Sequence, residues 1–132
     1  MNAVLIIEDE KAIAEILTRA LIKHGYQVET ASNGREGLEK FDEGFYDIVI
    51  TDIIMPCLDG NGVVRYIRES KKPLTPVVGI SGTPWLLEDE IFDAVLTKPF
   101  SIKTIVTTIQ NLPHRKTATT GLDKTPIIMT TN

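Results

Sequence analysis

Short apolar runs of four residues recur along the chain, and each ends in polar or charged residues. Val4-Leu5-Ile6-Ile7 runs into Glu8-Asp9, and Ile48-Val49-Ile50-Thr51 into Asp52. Val77-Val78-Gly79-Ile80 runs into Ser81, and Ala94-Val95-Leu96-Thr97 into Lys98-Pro99. Runs this short and this apolar predict strands buried on both faces. A further strand, Tyr26 to Thr30, alternates enough to lie nearer a sheet edge.

Helical spacing fills the intervals. Ile13, Ile16, Leu17, Ala20 and Leu21 fall at three- and four-residue steps and mark one apolar face, closed by His24-Gly25. Ser32-Asn33-Gly34 predicts a turn and cap before a helix from Arg35 to Glu43, with Leu38 and Phe41 facing inward. Pro56 through Gly62 reads as a loop. Val63, Val64, Tyr66 and Ile67 begin a third helix, which ends before Lys71-Lys72-Pro73. A last helix runs from about Ser101, a plausible N-cap, to Asn111, with Ile102, Ile105, Val106 and Ile109 as its inward stripe. Strands alternating with helices imply parallel pairing through right-handed crossovers, hence a three-layer α/β/α sandwich.

Parallel strands place their C-terminal ends along one edge of the sheet, where ligands of open α/β folds bind. Glu8, Asp9, Asp52, Ser81 and Lys98 would therefore converge from distant parts of the chain. Three carboxylates at close quarters repel one another without a cation, so structure alone offers little reason to gather them.

Composition narrows the class. At 132 residues, with 42% hydrophobic and 24% charged residues, the chain is expected to form one domain with a real core. No apolar run is long enough for a membrane span, and the run at Val4 stops at Glu8 before it could serve as a leader. The expected compartment is the cytoplasm. Net charge is −4, and no basic stripe could neutralise several phosphates, so direct nucleic-acid binding is not expected. Cys57, the single cysteine, has no partner for a disulfide or zinc site and reads as a small loop residue. Residues 113–132 are threonine-rich, lack periodicity and are expected to form a mostly disordered tail.

The motifs resemble the receiver domains of two-component response regulators. The match comprises Glu8-Asp9, Asp52, Met55-Pro56, Asp59-Gly60, Ser81-Gly82 and Lys98-Pro99-Phe100, in this order, over residues 1–112. The resemblance implies a flavodoxin-like, doubly wound fold with a five-stranded parallel sheet in the order 2-1-3-4-5. It implies Asp52 as the nucleophile that takes a phosphoryl group as an acyl phosphate. Such transfer asks chiefly for positioning and charge neutralisation. Mg²⁺ would be held by Glu8, Asp9, Asp52 and the backbone carbonyl of Ile54, while Lys98 and Ser81 would engage the phosphoryl oxygens. Asp59-Gly60 reads as turn chemistry. Lys98-Pro99 is a site where relatives carry a cis peptide.

The implied partners are a sensor histidine kinase or a histidine phosphotransfer protein, and an unidentified downstream protein. The implied state is a monomer or weak homodimer. The chain would not be an enzyme in its own right, beyond its self-catalysed phosphorylation and dephosphorylation. Two features depart from the family. Only 16 residues, Gly82 to Thr97, separate Ser81 from Lys98, which predicts a short, distorted or absent helix there. Val95 stands where relatives often carry a switching aromatic ring. Ile54 and Thr83 offer no carboxylate or amide to orient water, so dephosphorylation is expected to be slow to moderate.

A phosphatase of the haloacid-dehalogenase type needs an acid two residues after the nucleophile, where this chain has Ile54. Gly60-Asn61-Gly62 lacks the further glycine of a nucleotide-binding loop. The alternative that remains is a degenerate receiver serving as a phosphorylation-independent interaction module, and retention of every site group argues against it.

Overall fold

The computed structural model describes residues 2–55, 58–82, 91–112, 114–115 and 129–130. Its elements are β1 (Ala3–Ile7), α1 (Lys11–Lys23), β2 (Gln27–Ala31), α2 (Gly34–Glu43), β3 (Ile48–Asp52), α3 (Gly60–Arg68), β4 (Val77–Ser81), β5 (Ala94–Thr97) and α4 (Ile102–Gln110). Two-residue strands β6 (His114–Arg115) and β7 (Met129–Thr130) pair antiparallel with each other. The five longer strands form one parallel sheet in the order β2-β1-β3-β4-β5. That is the expected doubly wound arrangement.

Alternation along the strands divides the core in two. Leu5, Ile7, Val49 and Val77 pack with Phe41 of α2 and Val63, Val64 and Ile67 of α3. Val4, Ile6, Ile50, Val78 and Ile80 pack with Leu17 and Leu21 of α1 and with Ile105, Val106 and Ile109 of α4. A sheet covered on both faces explains why its strands are continuously apolar. Each fully buried Ile, Leu or Val contributes about 1.5–3 kcal/mol.

Side-chain caps set three helix starts. Asn33 Oδ1 accepts from the Glu36 N–H at 2.8 Å, Asp59 Oδ1 from Gly62 at 2.8 Å, and Ser101 Oγ from Thr104 at 3.1 Å. The Asp59 cap corrects one expectation. Helix α3 begins at Gly60, so Gly60-Asn61-Gly62 belong to its first turn and not to the preceding loop. Gly25, with φ at +92°, ends the reversal after α1 in the left-handed region.

Two apolar positions depart from their expected burial. Ile16 and Ile102 are about half exposed, because the buried faces of α1 and α4 are narrower than the apolar stripes in their sequences. Tyr66 is also exposed, and its hydroxyl donates to Asp42 Oδ2 at 2.6 Å, joining α3 to α2.

Residues 83–90, on which the expectation of a short, distorted or absent helix between β4 and β5 falls, lie outside the described residues, Thr83 and Trp85 among them. Ile91, Phe92 and Asp93 are buried and lead directly into β5. Pro56 and Cys57 also lie outside the described residues, and so does the tail apart from β6 and β7.

Candidate functional site

Strand register brings the candidate groups to one edge. Ile7 lies beside Ala31 and Thr51, Asp52 beside Ile80, and Ser81 beside Thr97. Glu8, Asp52, Ser81 and Lys98 therefore occupy the ends of adjacent strands. The Lys98 backbone N–H donates to the Ser81 carbonyl at 2.9 Å, and the Glu8 N–H to the Ala31 carbonyl at 3.0 Å. The Lys98-Pro99 peptide is cis.

Asp52 is only 6% exposed. Its Oδ1 accepts from the Ile53 N–H at 2.7 Å, and its Oδ2 faces Lys98 Nζ at 3.2 Å. Lys98 Nζ also lies 3.6 Å from Glu10 Oε1 and 3.7 Å from Glu8 Oε1. Glu8 is 3% exposed; its Oε2 accepts from the Glu10 backbone N–H at 3.2 Å, and its Oε1 has no hydrogen-bond partner.

The electrostatics follow from that burial. Loss of water pushes the Glu8 carboxyl up to about 8. The Glu10 N–H opposes this, the neighbouring Asp52 carboxylate reinforces it, and Lys98 opposes it. For Lys98, burial lowers the affinity for a proton. The Glu8 and Asp52 charges, the hydrogen bond to Asp52 and the Glu10 charge outweigh it, so the net shift is upward. The ammonium is thus held charged among acids.

The structure brings Glu8, Asp52, Ser81 and Lys98 to this edge, and the side chain of Asp9, next to Glu8, is exposed. Glu10, which the sequence did not single out, joins Glu8 and Asp52 there. Carboxylate oxygens of Glu8, Glu10 and Asp52 lie within 4.8 Å of one another. The chain bends at Asp9 and is extended at Glu10, and the carboxylates of residues 8 and 10 come to the same side. The acidic run Glu8-Asp9-Glu10 was the available signal. Ile54, two residues beyond Asp52, has an exposed side chain. Three clustered carboxylates and a buried, unpartnered carboxylate oxygen fit a hard divalent cation, which takes oxygen ligands and relieves their repulsion.

The response regulator receiver domain model matches residues 4–110. The chain belongs to the response regulator receiver family. This receiver domain is 32% identical over 125 residues to the transcriptional regulatory protein PcoR of Escherichia coli, a match covering 87% of this chain and 53% of PcoR. The chain thus spans about half the length of the curated relatives it matches. Its fold matches the chemotaxis response regulator CheY4 of Vibrio cholerae with a TM-score of 0.78 at 30% identity, covering 83% of this chain and 97% of CheY4. It matches TrrA of Thermotoga maritima, solved in complex with Mg²⁺-BeF, with a TM-score of 0.77 at 33% identity and the same coverage. Among the described residues of this receiver, no helix is long and apolar enough to cross a membrane.

Proposed function

We propose that this receiver takes a phosphoryl group on Asp52 from a histidine kinase or histidine phosphotransfer protein, in a Mg²⁺-dependent reaction, and signals in the cytoplasm through a downstream protein. The observation that carries this reading is the buried Asp52 carboxylate facing the Lys98 ammonium at 3.2 Å beside the unpartnered Glu8 Oε1. A carboxylate oxygen of Asp52 attacks phosphorus and forms the acyl phosphate. The bond from phosphorus to the donor nitrogen breaks, and its electron pair returns to the imidazole.

Lys98 pairs with the phosphoryl oxygens, and Ser81 donates a hydrogen bond to one of them. Glu8, Asp9, Asp52 and the Ile54 carbonyl would hold Mg²⁺, which supplies the positive charge that phosphoryl transfer needs beyond Lys98. Ile54 presents no group to orient water, so the phosphoryl group is lost slowly to moderately, and a half-life of seconds would refute this.

An apolar groove of about 400 Å³, lined by Ile13, Ile16, Leu17, Lys98, Pro99 and Phe100, supports protein donors. It offers apolar contact beside the reacting edge and gives the exposed Ile16 a use. Val95 is partly buried against the α2–α3 side of the core and has no ring to swing, so readout departs from that of aromatic-bearing receivers.

The test is intact mass after incubation with acetyl phosphate and Mg²⁺, alongside Asp52→Asn and a chelator-treated sample. One added phosphoryl group in the untreated wild type alone is expected. No addition to a folded protein that also fails to bind Mg²⁺ would favour the phosphorylation-independent interaction module.

A further inference from the structure

Glu10 is the N-cap residue of α1, yet its side chain makes no capping hydrogen bond. It reaches back over the site and places Oε1 3.6 Å from Lys98 Nζ. Its side chain is 62% exposed, against 24% for Lys98 and 7% for Asp52, so it is the outermost of the three gathered carboxylates. Lys98 is shared among Asp52, Glu10 and Glu8. A phosphoryl group arriving from solvent meets the Glu10 charge first and must take Lys98 from it. The buried Glu8 Oε1 behind it, 3.7 Å from Lys98 Nζ, accepts no hydrogen bond, so the mouth keeps acceptor capacity that no donor fills.

We propose that Glu10 is a specificity-determining residue that selects phosphoryl donors by charge, holding back small free dianions by repulsion and by competing for Lys98. The proposal rests on the phosphoacceptor reading of Asp52. A donor carried on a protein offsets the repulsion with docking contacts, which a free dianion lacks. The chemistry at phosphorus is the same for every donor. An Asp52 oxygen forms the new bond, and the leaving group departs with the electrons of the old one, as acetate from acetyl phosphate or as ammonia from N-protonated phosphoramidate.

The two small donors differ in charge and so separate the effect. Initial rates of phosphoryl addition are measured by intact mass on the full chain at saturating Mg²⁺, with Mg²⁺ affinity titrated separately for each protein. Glu10→Gln is expected to speed addition from acetyl phosphate roughly three- to tenfold, the scale of one partly screened charge a few ångströms away. The gain with the less anionic phosphoramidate is expected to be smaller. Glu10→Asp, which keeps the charge on a shorter side chain, is expected to retain the discrimination between the two donors that Glu10→Gln loses, and added salt is expected to narrow the gap between wild type and Glu10→Gln.

Equal rates in wild type and Glu10→Gln, or an equal gain with both donors, would overturn the proposal. A rate change that vanishes at saturating Mg²⁺ would overturn it too, making Glu10 a metal ligand only. If none of the proteins is modified by either donor, the phosphoacceptor reading fails and this inference with it. Asp52-dependent modification without donor discrimination sinks the Glu10 inference alone.

Discussion

Lys98 Nζ stands 3.2 Å from Asp52 Oδ2 although 46 positions separate the two residues in sequence. The backbone of Lys98 is fixed by its bond to Ser81, and its ammonium by three carboxylates. Lys98→Met removes the one cation that the described residues bring to these carboxylates. Phosphorylation of Asp52 is expected to fall about 100-fold, comparable to loss of one preorganised transition-state donor. Mg²⁺ affinity is expected to move the other way, because an opposing positive charge has left an acidic cluster. Slower phosphorylation together with weaker Mg²⁺ binding would instead indicate a damaged fold.

Burial of Glu8 makes stability depend on pH. Its carboxyl rises from 4.5 to about 8 in the fold, so between these values the folded state holds a proton that the unfolded state has released. Stability from this group is complete below pH 4.5 and is lost as pH rises to about 8. Urea denaturation of the metal-free protein is expected to show this decline. Glu8→Gln is expected to flatten it and to raise stability at pH 8 on the order of 1–3 kcal/mol. Saturating Mg²⁺ is expected to flatten it in the wild type, since a bound cation favours the ionised form. A metal-free wild type whose stability is constant from pH 5 to 8 would contradict the burial argument.

The central strands β1, β3 and β4 were legible because they are apolar on both faces, and β5 has the bounds its run predicts. The convergence of Glu8, Asp52, Ser81 and Lys98 was legible because a parallel sheet aligns strand ends. What escaped was local. The helix stripe of α1 includes Ile16, but periodicity cannot separate a position facing the core from one lining a surface groove. Treating Gly60-Asn61-Gly62 as loop followed glycine's low helix propensity, which the Asp59 cap and tight packing override. Glu8 and Asp9 are adjacent in sequence, but a bend at Asp9 brings the Glu8 and Glu10 carboxylates together.

Gly60 illustrates why that first turn tolerates little change. A Cβ there would lie 2.5 Å from the Asp52 carbonyl oxygen and 2.9 Å from Ile53 Cα, both backbone atoms. Gly60→Ala must therefore shift the chain that carries Asp52. It is expected to destabilise the fold by about 1–3 kcal/mol, as overpacking does, and to slow Asp52 phosphorylation. Gly37→Ala is the control. Its Cβ would meet the Ile7 side chain, so its cost is expected in stability with phosphorylation per folded molecule unchanged.

Opposite the site, Arg68 and Asp93 form a fully buried ion pair at 2.6 Å. Arg68 donates to the carbonyls of Ile91, Pro73 and Thr75, and Asp93 Oδ2 also accepts from the Val77 N–H at 2.7 Å. The pair thus ties the end of α3 to the starts of β4 and β5. Asp93→Ala would strand the guanidinium in the core and leave the Val77 N–H without that acceptor. A loss of about 3–5 kcal/mol is expected by urea denaturation, the usual cost of removing one partner of a buried pair. Asp93→Asn keeps an acceptor for Val77 and is expected to recover part of it. Because the pair lies at the far end of the strands, Mg²⁺ affinity of the folded fraction is expected to be unchanged. A change in that affinity would mean that the start of β5 communicates with Lys98 at its end.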